Sequence, residues 1–186
     1  MNLKPITFLM ISMVLFFSTV LSGCFLFENP YQPQPTPSTN PSPTPSPSVS
    51  PNAINFTLPN IDGGMTSLSD YRGQPVLVVF FSYTCSHCRD EAATLEGVYK
   101  KYKESKGLII LGVGVDSNPG QLSQFRSQYG WTFPVLNDSN RMVYKQFFTA
   151  GVPALLFINR TGELAKKRLG ALTATELDQW LQAYIL

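Results

Sequence analysis

Histidine is nearly absent from this chain of 186 residues, with one, and cysteine is scarce, with three. A four-ligand Cys/His zinc site is nearly excluded, because Cys24 stands far from the other two cysteines, Cys85 and Cys88. Three cysteines permit at most one internal bridge, which excludes a disulfide-dense scaffold. Charge is thin as well: 14% of residues carry it, where about 25% is usual. The formal net charge of +2 is too small for a nucleic-acid binder or a polyanion receptor. Nothing in the pattern calls for a cofactor or a metal. What is plentiful is proline, with fifteen, and its distribution divides the chain.

Residues 1–23 read as an export signal. Lys4 gives a short basic start, and Ile6 to Val20 is an apolar run without charge. Leu21-Ser22-Gly23 then precedes Cys24. This stretch resembles a lipobox, which implies that Cys24 carries a diacylglycerol thioether and becomes the mature N-terminus. The alternative is an uncleaved anchor, since Ile6 to Phe27 spans 22 residues and is long enough to cross a bilayer. Both readings put the rest of the chain on the extracytoplasmic face of the cell membrane.

Residues 24–53 are expected to hold the lipidated terminus and a disordered linker. Nine of the fifteen prolines fall between Pro30 and Pro51, among Ser, Thr, Gln and Asn. Such a segment buries too little apolar surface to offset its ordering entropy. At ~3.1 Å per residue in a polyproline conformation, about 25 residues reach on the order of 75 Å, which suits a stalk. An SH3-type ligand is the competing reading, but the basic flank such ligands carry is missing.

Residues 54–186 are the folded domain. Ile54–Leu58 and Met65–Leu68 flank the turn Asp62-Gly63-Gly64 as a hairpin. Pro75–Phe81 is a continuous apolar run, the mark of a strand buried on both faces. A helix is expected from Cys85 to about Lys103, then a strand over Gly107–Val115 and a helix over Pro119–Tyr129. Phe133–Leu136 reads as a strand and Ser139–Phe148 as a helix. Strands at Val152–Ile158 and Leu164–Leu169 flank a turn, and a last helix, Leu172–Ile185, carries a capping box at Thr173 and Glu176. The alternation predicts an α/β sandwich with a mixed sheet.

Cys85-Ser86-His87-Cys88 lies where the buried strand passes into a helix. A helix N-terminus offers free N–H groups and the positive end of the dipole, so a thiolate there is stabilised and nucleophilic. Cys85, in the first turn, is expected to attack a partner's sulfur, and Cys88 to resolve the mixed disulfide. A purely structural bridge over so short a loop adds only roughly 2 kcal/mol. A c-type haem site needs histidine after the second cysteine, and residue 89 is arginine.

With these motifs the domain resembles the thioredoxin superfamily, specifically the membrane-tethered TlpA/ResA-like thiol-disulfide oxidoreductases. Val76-Leu-Val-Val-Phe-Phe81 before the cysteines, Cys85-x-x-Cys88-Arg89-x-Glu91, Leu95-Glu96 and Gly151-Val152-Pro153-Ala154 carry the likeness. It implies a thioredoxin-like three-layer α/β/α sandwich with a mixed central sheet and an N-terminal β-hairpin extension. It also implies that Pro153 is cis beside the cysteines. Val152 and Pro153 then form a substrate-facing ledge, with Thr84 and Ser86 flanking the attacking sulfur. The family's acid maps to Glu91, which sits three residues after Cys88 and could move its proton.

The chain departs from the family pattern in three places. Thr84 replaces a tryptophan often found before the first cysteine, and His87 a proline often found before the second. Val79 stands where thioredoxin has a buried aspartate, which leaves Glu91 or solvent as proton acceptor. DsbA and protein disulfide isomerase, both oxidants, also carry histidine before the second cysteine. The expectation is that an imidazolium at His87 stabilises the Cys85 thiolate and makes this protein more oxidising than thioredoxin.

The function expected is thiol-disulfide exchange with exported cysteine-containing proteins, with a membrane electron donor or acceptor as a further partner. Two alternatives compete. A thiol peroxidase resembles Pro-x-x-x-Thr-x-x-Cys, a spacing this chain breaks at Phe80 and Thr84. A thioredoxin-fold metal carrier resembles Cys-x-x-x-Cys with a distant histidine, and here the spacer is two residues with no second histidine.

Overall fold

The structure, a computed structural model, describes residues 50–186. The signal segment, Cys24 and all of the proline-rich stretch before Ser50 lie outside the described residues. Strands β1 (Thr57–Pro59) and β2 (Met65–Ser67) form a small antiparallel sheet. The main sheet holds β3 (Val76–Phe81), β4 (Ile109–Val115), β5 (Val135–Asp138), β6 (Ala154–Ile158) and β7 (Leu164–Leu169), in the order β5-β4-β3-β6-β7. β3, β4 and β5 run parallel, while β6 and β7 are antiparallel to their neighbours. The sheet is mixed, as expected.

Strand β3 is buried along its whole length, and its pleat explains why. Leu77, Val79 and Phe81 face one apolar cluster, while Val76, Val78 and Phe80 face the other. The first cluster is closed by α1 (Ser86–Lys106), α2 (Pro119–Tyr129) and α3 (Ala174–Tyr184) through Leu95, Phe125, Leu177 and Leu181. The second is covered by Leu58 of the hairpin, by Leu68 and by Val143, Tyr144 and Phe148. Asn118 and Thr173 cap α2 and α3 in reciprocal boxes with Gln121 and Glu176. The outer strand β7 carries Lys166, Lys167 and Arg168, which guard its unpaired edge.

The helix expected over Ser139–Phe148 does not form. The segment holds a single 3-10 turn at Tyr144–Gln146. Asp138, 1% exposed, accepts from the Val143 N–H at 3.1 Å and the Tyr144 N–H at 2.8 Å. Arg141 sits in the left-handed region at φ 59°. A carboxylate that takes these N–H groups competes with the i→i−4 ladder, and a left-handed residue interrupts it. Asp138→Ala strands two buried N–H groups. It is expected to cost about 2–3 kcal/mol, read as a lower urea midpoint.

The β3 and β6 strands run in opposite directions, so the end of β3 and the start of β6 share one pole of the sheet. Cys85 and Pro153 meet there. The β6–β7 turn lies at the other pole. There the start of the described chain is tied down: Ser50 Oγ donates to Glu163 Oε1 at 2.5 Å, and the Ile54 N–H to Gly162 O at 3.0 Å.

Candidate active site: a disulfide at a helix mouth

After Phe81 the backbone leaves the sheet at Ser82, and two polar contacts shape the turn. The Tyr83 N–H donates to Ser117 Oγ at 3.0 Å, and the Cys85 N–H to Ser82 O at 3.1 Å. Ser117 is buried just past the end of β4, so the parallel neighbour of β3 sets the path into the motif. Cys85 is the N-cap of α1, and its sulfur accepts from the Cys88 N–H at 3.1 Å. The expected helix therefore begins one residue later, at Ser86. Capping residues place a side-chain acceptor over the unpaired N–H groups of the first turn. Here a sulfur fills that role, in the position where the dipole favours its anion.

Cys85 and Cys88 are joined as a disulfide, with Cα atoms 5.3 Å apart. Cys85 is half-buried and Cys88 only 2% exposed. The pair thus presents one sulfur outward and keeps the other in the apolar cluster. Val79, 1% exposed, stands in that same cluster.

The Val152–Pro153 bond is cis. The Val152 carbonyl oxygen lies 3.5 Å from Cys85 Sγ. Pro153 is buried, Val152 half-buried, and Pro153 O accepts from the Gly170 N–H at 2.8 Å. The ledge is thus held from below by the loop that follows β7. Thr84 and Ser86 are exposed on either side of Cys85.

Glu91 is 3% exposed. Its Oε1 accepts from the Leu172 N–H at 2.8 Å, and its Oε2 has no partner. Burial pushes its pKa up to about 7, and the Leu172 N–H offsets only part of that. A cleft of about 270 Å³ lined by Asp90, Thr94, Thr173 and Glu176 borders it. The spacing Cys88 to Glu91 puts both on the inner face of α1, where both are buried. His87 lies on the outside, with Nδ1 3.9 Å from Asp90 Oδ2.

The structure therefore gathers Cys85, Cys88, Val152 and Pro153 at one point, seats Glu91 on the inner face one turn along, and leaves His87 exposed. Ser117 and Leu172 also shape the site, and nothing local in the sequence marks them for it. Among the described residues no three His, Cys, Asp or Glu side chains are grouped to hold a metal ion.

Residues 49–167 match the AhpC/TSA family. The thiol-disulfide oxidoreductase ResA of Oceanobacillus iheyensis is 33% identical over 121 residues, which are 65% of this chain and 62% of that protein. The chain thus spans less than two thirds of that relative's length. The ResA protein of Bacillus subtilis is 29% identical over 130 residues, 70% of this chain and 72% of that one. A thioredoxin-family thiol:disulfide interchange protein from Chlorobium tepidum has a similar fold, with a TM-score of 0.64 over 72% of this chain and 94% of that one, at 20% identity.

Proposed function

The chain belongs to the AhpC/TSA family, and from that premise we propose that it is a thiol-disulfide oxidoreductase acting on cysteine-containing proteins outside the cytoplasmic membrane. The observation that carries the reading is the Cys85–Cys88 disulfide at the mouth of α1, with its outer sulfur beside the Val152 carbonyl. Relatives named thiol-disulfide oxidoreductase support it.

In the oxidised form, a substrate thiolate attacks Cys85 Sγ and displaces Cys88 as a thiolate. A mixed disulfide forms, and Cys88 takes up a proton, for which Glu91 is the nearby buried source. A second substrate thiolate then attacks the substrate sulfur of the mixed disulfide, and Cys85 leaves. The substrate has lost two electrons, which the reduced cysteine pair now holds; its two thiol protons have passed to solvent, from which Glu91 regains the one it gave to Cys88. Run backwards, the same steps reduce a substrate disulfide. Thr84, Ser86, Val152 and Pro153 form the rim on which the incoming chain lies.

The lipobox-like Leu21-Ser22-Gly23-Cys24 supports a lipid anchor. Among the described residues no helix is long and apolar enough to cross a membrane. Ser50 lies at the pole of the sheet opposite the cysteines.

A direct test incubates the full chain with reduced, unfolded protein and glutathione disulfide, and separately with a disulfide-bonded protein and reduced glutathione, and follows the substrate's thiols. Catalytic oxidation or reduction supports the proposal; an inert Cys85–Cys88 pair defeats it. His87 is proposed to raise the potential. The protein is expected to lie above about −270 mV, with His87→Ala shifting it downward. A potential at that value and untouched by His87→Ala removes the histidine from the mechanism.

A further inference from the structure

Resting on the thiol-disulfide reading above, we propose that Tyr144 is a positioning residue: its phenol fixes the Gly151–Val152–Pro153 ledge against Cys85 for the arriving protein chain. Tyr144 is fully buried, and its hydroxyl donates to Gly151 O at 2.5 Å. The next residue along carries the carbonyl that lies 3.5 Å from Cys85 Sγ. The phenol is thus one peptide unit from the surface that meets the substrate.

The tyrosine is itself held by four residues. Asp138 accepts from its N–H. Phe80 meets its ring edge-on at 5.4 Å between centroids, and Phe148 stacks on it at 5.7 Å. The Arg141 guanidinium lies over the ring, 5.3 Å from its centroid, and forms a forked ion pair with Asp116. Asp116 and Arg141 are the non-glycine residues with positive φ among the described residues, at 51° and 59°. Such conformations persist where surrounding contacts impose them, and they gather at functional sites.

A core position that needs only bulk is served by Phe or Leu. A buried hydroxyl needs a partner, and the one it finds is the ledge. Burial also raises the phenol's pKa, so the group stays a donor. Recognition of a chain through backbone groups tolerates only small displacements, which gives the tether its use. The broken helix over 139–148 is the structure that delivers this phenol.

The test compares the full-length protein with its Tyr144→Phe and Tyr144→Leu variants. Each is oxidised, and the rate of reduction of its disulfide is measured with reduced unfolded ribonuclease and with dithiothreitol. The small dithiol has no chain to lay on the ledge. In both variants the ratio of the ribonuclease rate to the dithiothreitol rate is expected to fall about tenfold. The two falls are expected to be equal, although Leu also loses the ring contacts and melts lower. An unchanged ratio overturns the proposal, as does a ratio that falls in step with melting temperature. A wild-type disulfide that neither thiol reduces overturns the thiol-disulfide reading with it.

Discussion

Replacing Cys88 with serine is expected to convert the protein into a trap. Cys85, half-buried at the helix mouth, keeps its access to a substrate sulfur. The sulfur that would release it is gone, and a serine hydroxyl does not attack a disulfide. Mixed disulfides with substrate proteins then accumulate, and turnover falls by on the order of 10³-fold. Cys85→Ser is expected to lose turnover equally but to trap nothing, because Cys88 is 2% exposed and out of reach. Folding survives that second change, since serine is itself a favoured N-cap and its oxygen can accept from the Cys88 N–H, as the sulfur does now. Non-reducing gels of the variants expressed in their host read both outcomes. Full turnover in Cys88→Ser, or adducts through Cys88 in Cys85→Ser, contradicts the assignment of roles.

The features legible in the sequence are those written in adjacent residues. The run from Val76 to Phe81 fixes a strand buried on both faces, and a cysteine pair directly after it fixes a helix mouth. Asn118-Pro119 and Thr173-x-x-Glu176 announce α2 and α3, and α2 has the bounds expected of it. The cis bond before Pro153 came through the resemblance of Gly151-Val152-Pro153, not through periodicity.

The parts that were not legible depend on contacts between distant residues. Glu91 and Leu172 are 81 positions apart, Tyr83 and Ser117 34 apart. A side chain that bonds a remote backbone group leaves no periodic trace. Residues 139–148 mislead for the same reason, because their apolar spacing suits a helix while Asp138 claims the N–H groups that a helix would use. Edges shift more mildly. β5 starts at Val135, not Phe133, and β1 at Thr57, not Ile54, because Ile54 instead bonds Gly162.

The native protein is expected to lose stability as pH rises towards neutral, and glutamine at position 91 is expected to abolish that loss. The Glu91 pKa is about 7 in the folded protein and 4.5 for an ordinary carboxylate. Below 4.5 both folded and unfolded chains hold the proton, and the group is neutral to stability. As pH rises from there the unfolded chain releases its proton first, so each further increment favours unfolding. Above 7 both states are ionised and the penalty is complete. At about 1.4 kcal/mol per pH unit it amounts to about 3 kcal/mol. Asp62, Glu163, Glu176 and Asp178 are shifted the other way, by partners such as Arg126, Ser50, Thr173 and Lys101. Their stabilising effects are lost only in acid, below the Glu91 window. Urea unfolding at pH 5 and pH 8 therefore isolates Glu91: native protein is expected to lose about 2.5 kcal/mol between them, and Glu91→Gln to stay flat. If Glu91 protonates Cys88 as proposed, the same substitution removes that proton, and the limb of the exchange-rate profile near pH 7 is expected to go with it. Native stability that does not change from pH 5 to pH 8 means the carboxyl is not held protonated. Glu91 then has no proton to give Cys88 at neutral pH, and solvent must supply it.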